Sequence, residues 1–246
     1  MLNYDDEAAV YDATRGGVPR AEAAAVAVLG LVPAAAGALL DIGCGTGLVT
    51  ERIAEGRPGL RVFGSDASLG MVRVARQRVG AVVHADARRL PLRDAAVDAV
   101  TAVWLLHLLR EEGAAGAVVA QAARVLRPGG VFVTTVDKDA AHDVGSDIDD
   151  VFAPYLAPNP SDGTERITEY GAAHGLDVVG STVFRGHGQG RTPLGAAHGV
   201  RRGYYASRLA LPGQAAERLA QALTALPDPD RRRAEPAYRL LAFRRR

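Results

Sequence analysis

Apolar positions along the chain fall into short β-rich blocks separated by stretches with helical spacing. Ala38–Ile42 reads as a first strand and Gly47–Glu55 as the helix after it. Leu60–Gly64 is a second strand and Ser68–Val79 a second helix, with Ser68 placed to cap it. Ala81–His84 and Val97–Val103 read as the third and fourth strands. Ala114–Leu126 is an alanine-rich helix stopped by Pro128-Gly129-Gly130, and Val131–Val136 a fifth strand. Strands alternating with helices of this length imply a parallel sheet covered on both faces. The last third is less regular. Asp137–Pro160 reads as an acidic loop or mobile lid, Thr164–His174 as helix, Leu176–Phe184 as a sixth strand and Arg185–Arg191 as a glycine-rich loop. Helical stretches near Pro193–Ala206 and Gly213–Leu226 precede a final strand at Tyr238–Phe243. No repeat and no long linker divides the chain, so a single domain is expected over 1–246. It comprises a cap over 1–36, a cofactor-binding core over 37–136, and a substrate-side lid with closing strands over 137–246.

The turn Gly43-Cys44-Gly45-Thr46-Gly47 follows the first strand, at the edge where open parallel sheets bind ligands. Glycines there admit positive φ and close approach of a ligand, and the following helix N-terminus favours acceptor groups. Three ligands compete. A triphosphate loop needs a Gly-Lys-Ser/Thr ending, and no lysine lies near. A dinucleotide turn needs GxGxxG, whereas the third glycine position of that pattern is Leu48 here. The remaining option is a nucleoside without phosphate, that of S-adenosylmethionine.

Asp41-Ile42-Gly43-Cys44-Gly45-Thr46-Gly47 resembles the first motif of the class I S-adenosylmethionine-dependent methyltransferases, in their small-molecule, UbiE-like branch. Asp66, ending VFGSD, stands where that family places its ribose-binding acid, and a carboxylate can accept from two vicinal hydroxyls. His84-Ala85-Asp86-Ala87 resembles the third motif, whose acid accepts from the adenine amino group. Val97-Asp98-Ala99-Val100 running into Trp104-Leu105-Leu106-His107-Leu108 resembles the fourth, and Arg124-Val125-Leu126-Arg127-Pro128-Gly129-Gly130 the signature before strand five. These matches keep the family's order over about Asp41–Val136. Upstream, Tyr11-Asp12-Ala13-Thr14-Arg15 is similar to the YDxxR segment that closes over the methionine end of the cofactor.

The resemblance implies a Rossmann-like, doubly wound, mostly parallel seven-stranded α/β sheet of order 3-2-1-4-5-7-6, with an N-terminal helical cap and a lid insert after strand five. It implies S-adenosyl-L-methionine as cofactor and S-adenosyl-L-homocysteine as product. Carried residue by residue, it places the cofactor on Tyr11, Arg15, Asp41, Gly43, Gly45, Gly47, Asp66, Ala67, Met71, Asp86, Ala87 and Val103. Plainer roles stand beside these: Asp41 caps the turn, Asp66 caps a helix, Met71 is core, Arg15 is a surface arginine and Cys44 a small buried filler.

Composition narrows the partner. Of 246 residues, 48% are hydrophobic and 23% charged, and the net charge is +1, so bulk electrostatics favour neither nucleic acid nor anionic membrane. An Asn/Asp-Pro-Pro-Tyr segment for gripping a flipped base is absent where Val103-Trp104-Leu105-Leu106 stands. The opening MLNYDDEAAV is too polar and acidic for a signal peptide, no apolar run reaches transmembrane length, and Cys44 is the only cysteine. A cytoplasmic monomer or homodimer acting on a small molecule is expected, with no metal.

Direct displacement at a sulfonium needs mainly alignment and desolvation. If the acceptor must lose a proton, His107, His142 and His187 are candidate bases in falling order, with a core or cofactor-side role competing at His107. The acidic run from Asp137 to Asp150 reads as a solvated loop, the mouth of a site for a cationic substrate, or a divalent-metal site. The expected activity is methyl transfer to an O, N or C atom of a small molecule, in specialised-metabolite biosynthesis. Two alternatives stand beside it: a protein that binds the cofactor without transferring methyl, and an NAD(P)-dependent oxidoreductase.

Overall fold

The computed structural model describes residues 3–212 and 214–246; the expected helix start at Gly213 and the first two residues of the N-terminal segment lie outside the described residues. The cap comprises α1 (Tyr4–Glu7), α2 (Tyr11–Thr14) and α3 (Gly17–Leu31). The core alternates β1 (Ala38–Ile42), α4 (Leu48–Gly56), β2 (Arg61–Asp66), α5 (Leu69–Ala75), β3 (Val82–His84), β4 (Val97–Ala102), α6 (Ala114–Val125) and β5 (Leu126–Val136). The last third supplies α7 (Asp147–Phe152), α8 (Thr164–Ala173), β6 (Leu176–Arg185), α9 (Pro193–Arg201), α10 (Ala215–Thr224) and β7 (Ala237–Arg245). The strands form one sheet of order β3-β2-β1-β4-β5-β7-β6, parallel except where β7 runs antiparallel between β5 and β6.

All five residues of β1 are buried because helices cover both faces of the sheet. Strand alternation divides them: Ala38, Leu40 and Ile42 join the cluster that includes Val118, Phe132 and Phe243, while Leu39 joins the cluster of Ala24, Val28 and Leu240 on the opposite face. A third apolar cluster sits apart from the sheet, where Ile148 and Phe152 of α7 pack with Ala196, Val200, Leu219 and Leu223 of α9 and α10. The lid thus has its own small core.

The β4–β5 junction shows what the RVLRPGG segment does. Arg127 pairs with Asp98, whose other oxygen accepts from Gly37 N and Ala38 N, both at 2.9 Å, tying the starts of β1, β4 and β5 together. Arg124 donates to the carbonyls of Leu90 and Leu92 and to Asp94 at 2.7 Å. Pro128–Gly130 do not separate helix from strand as expected. The strand begins at Leu126, and two steps along β4 (Val97 to Ala99) face five along β5 (Leu126 to Val131), so the Pro-Gly-Gly residues bulge out of the ladder. A side chain at Gly130 would meet the Arg127 and Asp98 carbonyl oxygens at 2.9 Å, which accounts for that glycine.

The stretch expected as an acidic loop over Asp137–Pro160 is ordered around α7. Ser146 and Asp149 form a reciprocal capping box at its start. The acids of this stretch are mostly consumed inside the protein. Asp137 accepts from Thr164 N and Oγ1, Asp139 pairs with Lys138 at 3.0 Å, Asp147 with Arg233 at 2.7 Å and Asp149 with Arg191 at 2.5 Å. Sequence composition shows the charge run, but only the fold shows the cations set against it.

Candidate functional site

The turn after β1 holds Gly43, Gly45 and Gly47 at φ of 68°, 56° and 77°. These values are strained for any residue with a Cβ. The glycines then divide by what surrounds them. A Cβ at Gly47 would lie 3.0 Å from Ala75 Cβ, so this residue lets α4 pack against α5; a Cβ at Gly45 would meet nothing within 4 Å, so its face is open. Of the three, Gly45 alone leaves open space beside its backbone. Cys44 lies beneath, 8% exposed, where Gly64 lacks the side chain that would strike its Sγ; burial pushes the thiol up, consistent with a filler.

Two carboxylates hold the turn from below and beside. Asp41, 3% exposed, accepts from Thr50 Oγ1 at 2.6 Å and Thr101 Oγ1 at 2.7 Å. Burial pushes its carboxyl up to about 6, against those two hydrogen bonds. Asp66, at the end of β2, accepts from Gly45 N and from Ser68 N, each at 2.8 Å and on different oxygens. Burial raises it above the ordinary carboxylate range despite these donors. Each oxygen keeps a further lone pair for a hydroxyl.

The raised Asp41 carboxyl carries a pH dependence whose sign is fixed. The folded protein holds this proton to about pH 6, whereas the unfolded chain releases it near 3.8. Its contribution to stability is therefore full below pH 3.8 and lost as pH rises to about 6. The loss amounts to roughly 3 kcal/mol. Urea denaturation of Asp41→Asn at pH 4, 5, 6 and 7 should show a flatter profile than the parent; an unchanged slope would remove Asp41 as its source.

The cap lies over the turn. Asp12 accepts from Thr46 Oγ1 at 2.6 Å and pairs with Arg78 at 2.7 Å. Asp5 accepts from Ser68 Oγ at 2.7 Å and Gly70 N at 2.6 Å, strapping α1 to the start of α5. Arg15 stands with its guanidinium 4.2 Å from the Tyr204 ring centre and 5.4 Å from that of Tyr11, and 3.6 Å from Glu7. A cavity of about 50 Å³ lies at the turn, and its walls include Tyr11, Arg15, Asp41, Gly43, Gly45 and Val103. Asp66 adjoins it through Gly45. Of the other expected cofactor residues, Gly47 packs against α5. Ala67 exposes a carbonyl 2.9 Å from the His84 ring, and Met71 is 2% exposed in the interior. Ala87 packs on the main core, and Asp86 is forked by Arg88 at 2.8 Å. None of these five lines the cavity at the turn.

Beyond Arg15 and Trp104 the site continues into a chamber of about 60 Å³, walled by tyrosines 4, 11, 204, 205 and 238 together with His107, His142 and Arg208. Trp104 follows β4 with φ of 56° and is stacked by Arg20 at 3.9 Å and by Phe184 and Tyr238 edge-on. Such backbone geometry in a bulky residue marks a position held by its surroundings, here by Trp104 N donating to Thr135 Oγ1 at 2.7 Å. His107 is 7% exposed, and its Nδ1 has no partner among the described residues. His142 Nε2 lies 3.1 Å from Tyr238 Oη. Burial, then nearby Lys138, holds both imidazoles well below their usual range, so both are neutral and weakly basic at neutral pH. His187 is elsewhere: it faces Glu235 at 3.7 Å and lines a groove between α3 and β6. Among the described residues no three His, Cys, Asp or Glu converge as a metal site.

A family profile described as "Methyltransferase domain" matches residues 40–134. Residues 40–134 thus resemble a methyltransferase domain. Among curated relatives, a demethylmenaquinone methyltransferase of Renibacterium salmoninarum is 32% identical over 160 residues, 62% of this chain and 63% of that protein. A malonyl-[acyl-carrier protein] O-methyltransferase of Geobacter sulfurreducens is 36% identical over 103 residues, 38% of this chain and 36% of the relative. The chain spans less than two thirds of the length of these relatives. Among solved structures, a [4+2]-cyclase, SpnF, superposes with a TM-score of 0.63 at 21% identity, covering 98% of this chain and 93% of that one. A methyltransferase of Methanosarcina mazei gives 0.56 at 11% identity, covering 89% and 96%. Both share the fold of this chain.

Sequence reasoning passed over several residues of the site. Asp12 stands inside the quoted YDATR segment, and Trp104 beside the quoted His107, so both were within view. Tyr4, Tyr204, Tyr205 and Arg208 carry no local signal; they reach the chamber only because the cap and the segment after α9 fold over the sheet edge.

Proposed function

We propose that this protein transfers a methyl group from S-adenosyl-L-methionine to an O, N or C atom of a small molecule, in the biosynthesis of a specialised metabolite. The observation that carries this reading is the open face at Gly45, held by Asp66 and continuing past Arg15 and Trp104 into an aromatic-walled chamber. The residues fit the cofactor. Asp66 offers its free lone pairs to the ribose hydroxyls, Asp41 its negative charge to the methionine ammonium, and Arg15 a guanidinium to the methionine carboxylate. When bound, the cofactor supplies an activated methyl on a sulfonium. The chain's own work is then to orient and to exclude water, which the tyrosines, Trp104 and the lid do by enclosing the acceptor. His107 and His142, neutral and weakly basic, suit positioning an acceptor's hydrogen-bonding group better than deprotonating an amine.

A second reading, a cofactor-binding protein that promotes another reaction in the same chamber, is favoured by one observation: the neighbour described as a [4+2]-cyclase shares the fold across nearly its full length. Calorimetric titration with S-adenosylhomocysteine and with NAD, followed by labelled S-adenosylmethionine with candidate acceptors, separates the cases. The expected result is binding of S-adenosylhomocysteine, none of NAD, and transfer of label. Binding without transfer to any acceptor would support the second reading, and NAD binding alone would overturn both.

A further inference from the structure

Between the chamber and the lid lies a buried guanidinium, that of Arg208, which the protein neutralises only in part. Arg208 is 6% exposed, and its guanidinium lies between the chamber and a larger cavity of about 560 Å³. Among the described residues Arg208 has one carboxylate within 4 Å, Asp149 at 3.6 Å, and that carboxylate is already engaged by Arg191 at 2.5 Å. On the adjoining cavity Glu7 is shared by Arg15 and by the exposed Arg202. Lys138 and Asp139 cancel each other. Arg191 and Arg208, both buried, therefore share the one carboxylate of Asp149. An unmatched buried cation costs several kcal/mol, so a fold retains one when something outside the chain completes it.

The orphaned polar atoms tell the same story. Arg208 Nε and Nη1 are buried with no hydrogen-bond partner among the described residues, and so is Trp104 Nε1. All three are donors only, and both residues line the chamber. Arg191 Nη1, also orphaned, faces the adjoining cavity that shares Arg15 and His142. Against them stands one orphaned carboxylate oxygen, Asp162 Oδ1 on the wall of the larger cavity, whose partner oxygen accepts from Lys138 N at 2.9 Å. Buried donors without acceptors are rare in native proteins and call for an acceptor from outside the chain, a ligand or an ordered water.

We propose that the acceptor substrate is an organic acid, and that its carboxylate is seated on Arg208 at the neck between the larger cavity and the chamber. The larger cavity holds the uncharged body of the molecule against Leu109, Leu156, Pro158 and Tyr170; the acids on its walls, among them Glu111, Glu112 and Asp162, leave Arg208 at the neck as the place for the carboxylate. Arg208 thereby acts as a substrate-binding residue that fixes which end of the acceptor points toward the glycine turn. The acids Asp137, Asp139 and Asp149, for which the sequence leaves open a solvated loop, a cationic-substrate mouth or a metal site, are the internal partners of Thr164, Lys138 and the arginines. This inference rests on the methyltransferase reading for the word acceptor, but the anion site itself does not.

The chain has one tryptophan, Trp104, and it lines the chamber, so its fluorescence reports occupancy directly. Sodium benzoate is titrated against the full chain, with benzamide and benzylamine as neutral and cationic matches, in the absence and presence of S-adenosylhomocysteine. A saturable change in Trp104 emission is expected with benzoate alone among the three, weakened at least tenfold in Arg208→Met and partly restored in Arg208→Lys. The melting temperature of Arg208→Met should equal or exceed that of the parent, because an unmatched buried charge is removed while the Ala157 N to Arg208 carbonyl bond remains. A lowered melting temperature, an equal response to benzamide or benzylamine, or no saturable benzoate response would each overturn the proposal. Benzoate binding without S-adenosylhomocysteine binding would instead sink the methyltransferase reading and leave the anion site standing.

Discussion

Replacing Asp149 with alanine is expected to destabilise the protein by about 3–5 kcal/mol, the usual cost of stranding a buried charge. For a chain of this size that corresponds to a fall in melting temperature of roughly 10 °C. Asp149 is 7% exposed and has four partners: Ser146 N at 3.0 Å, Ser146 Oγ at 2.7 Å, Val144 N at 3.1 Å and Arg191 Nη2 at 2.5 Å, with Arg208 beyond at 3.6 Å. Burial alone would raise its pKa, but the Ser146 donors and Arg191 outweigh burial and hold it below the ordinary range. Its loss removes the cap of α7 and leaves two guanidiniums facing each other without a counter-charge. The double variant Asp149→Ala/Arg191→Met should recover part of the loss, since one of the stranded cations goes with it. Chemical denaturation of parent, single and double variants checks both statements; a single variant within 1 kcal/mol of the parent would show that water already solvates this group.

The second large effect is expected at Asp66. Asp66→Ala should weaken S-adenosylhomocysteine binding by about 1.5–3 kcal/mol for each ribose hydrogen bond to the carboxylate, so up to about a hundredfold for one bond and more for two. The structure adds a cost that the sequence alone does not display. Asp66 also accepts from Gly45 N and Ser68 N, so its removal frees the turn from the start of α5. Asp66→Asn separates the two contributions: its amide oxygen keeps one acceptor while the negative charge is lost. Calorimetry on both variants, with melting temperatures alongside, should place Asn between parent and Ala in both affinity and stability. Affinity unchanged in Ala would remove Asp66 from the ribose site.

The core strands were legible in the sequence because their apolar runs are short and most are bracketed by glycine, proline or capping residues, and their order was implied by the family resemblance. β1 at Ala38–Ile42 emerges with the bounds expected from its pattern, and Ser68 caps α5 as its position suggests, accepting from Met71 N at 3.2 Å. The glycine turn was legible because it is local: strand, positive-φ turn and helix are neighbours in the chain. The lid was not. Its helix α7 lies in a run of aspartates that looks solvated, and it forms because Ile148 and Phe152 find α9 and α10, more than forty residues away, while Arg191 and Arg233 neutralise its acids. The Pro-Gly-Gly bulge was misread for a related reason, since the ladder between β4 and β5, and not the local composition, decides where β5 begins.

By itself the sequence determined the parts whose physics is short-range: alternating elements, a turn that only glycine fits, an acid at the end of β2, and a family likeness carried by consecutive motifs. Tertiary structure alone decided which charges are matched. Arg208, Arg191 and Asp149 are separated along the chain by lid, sheet and helix, and no spacing rule relates them. Their sharing of one carboxylate, and the donors left facing the chamber, exist only once folding has removed water from between them. Desolvation makes a guanidinium without a partner costly and so makes it informative.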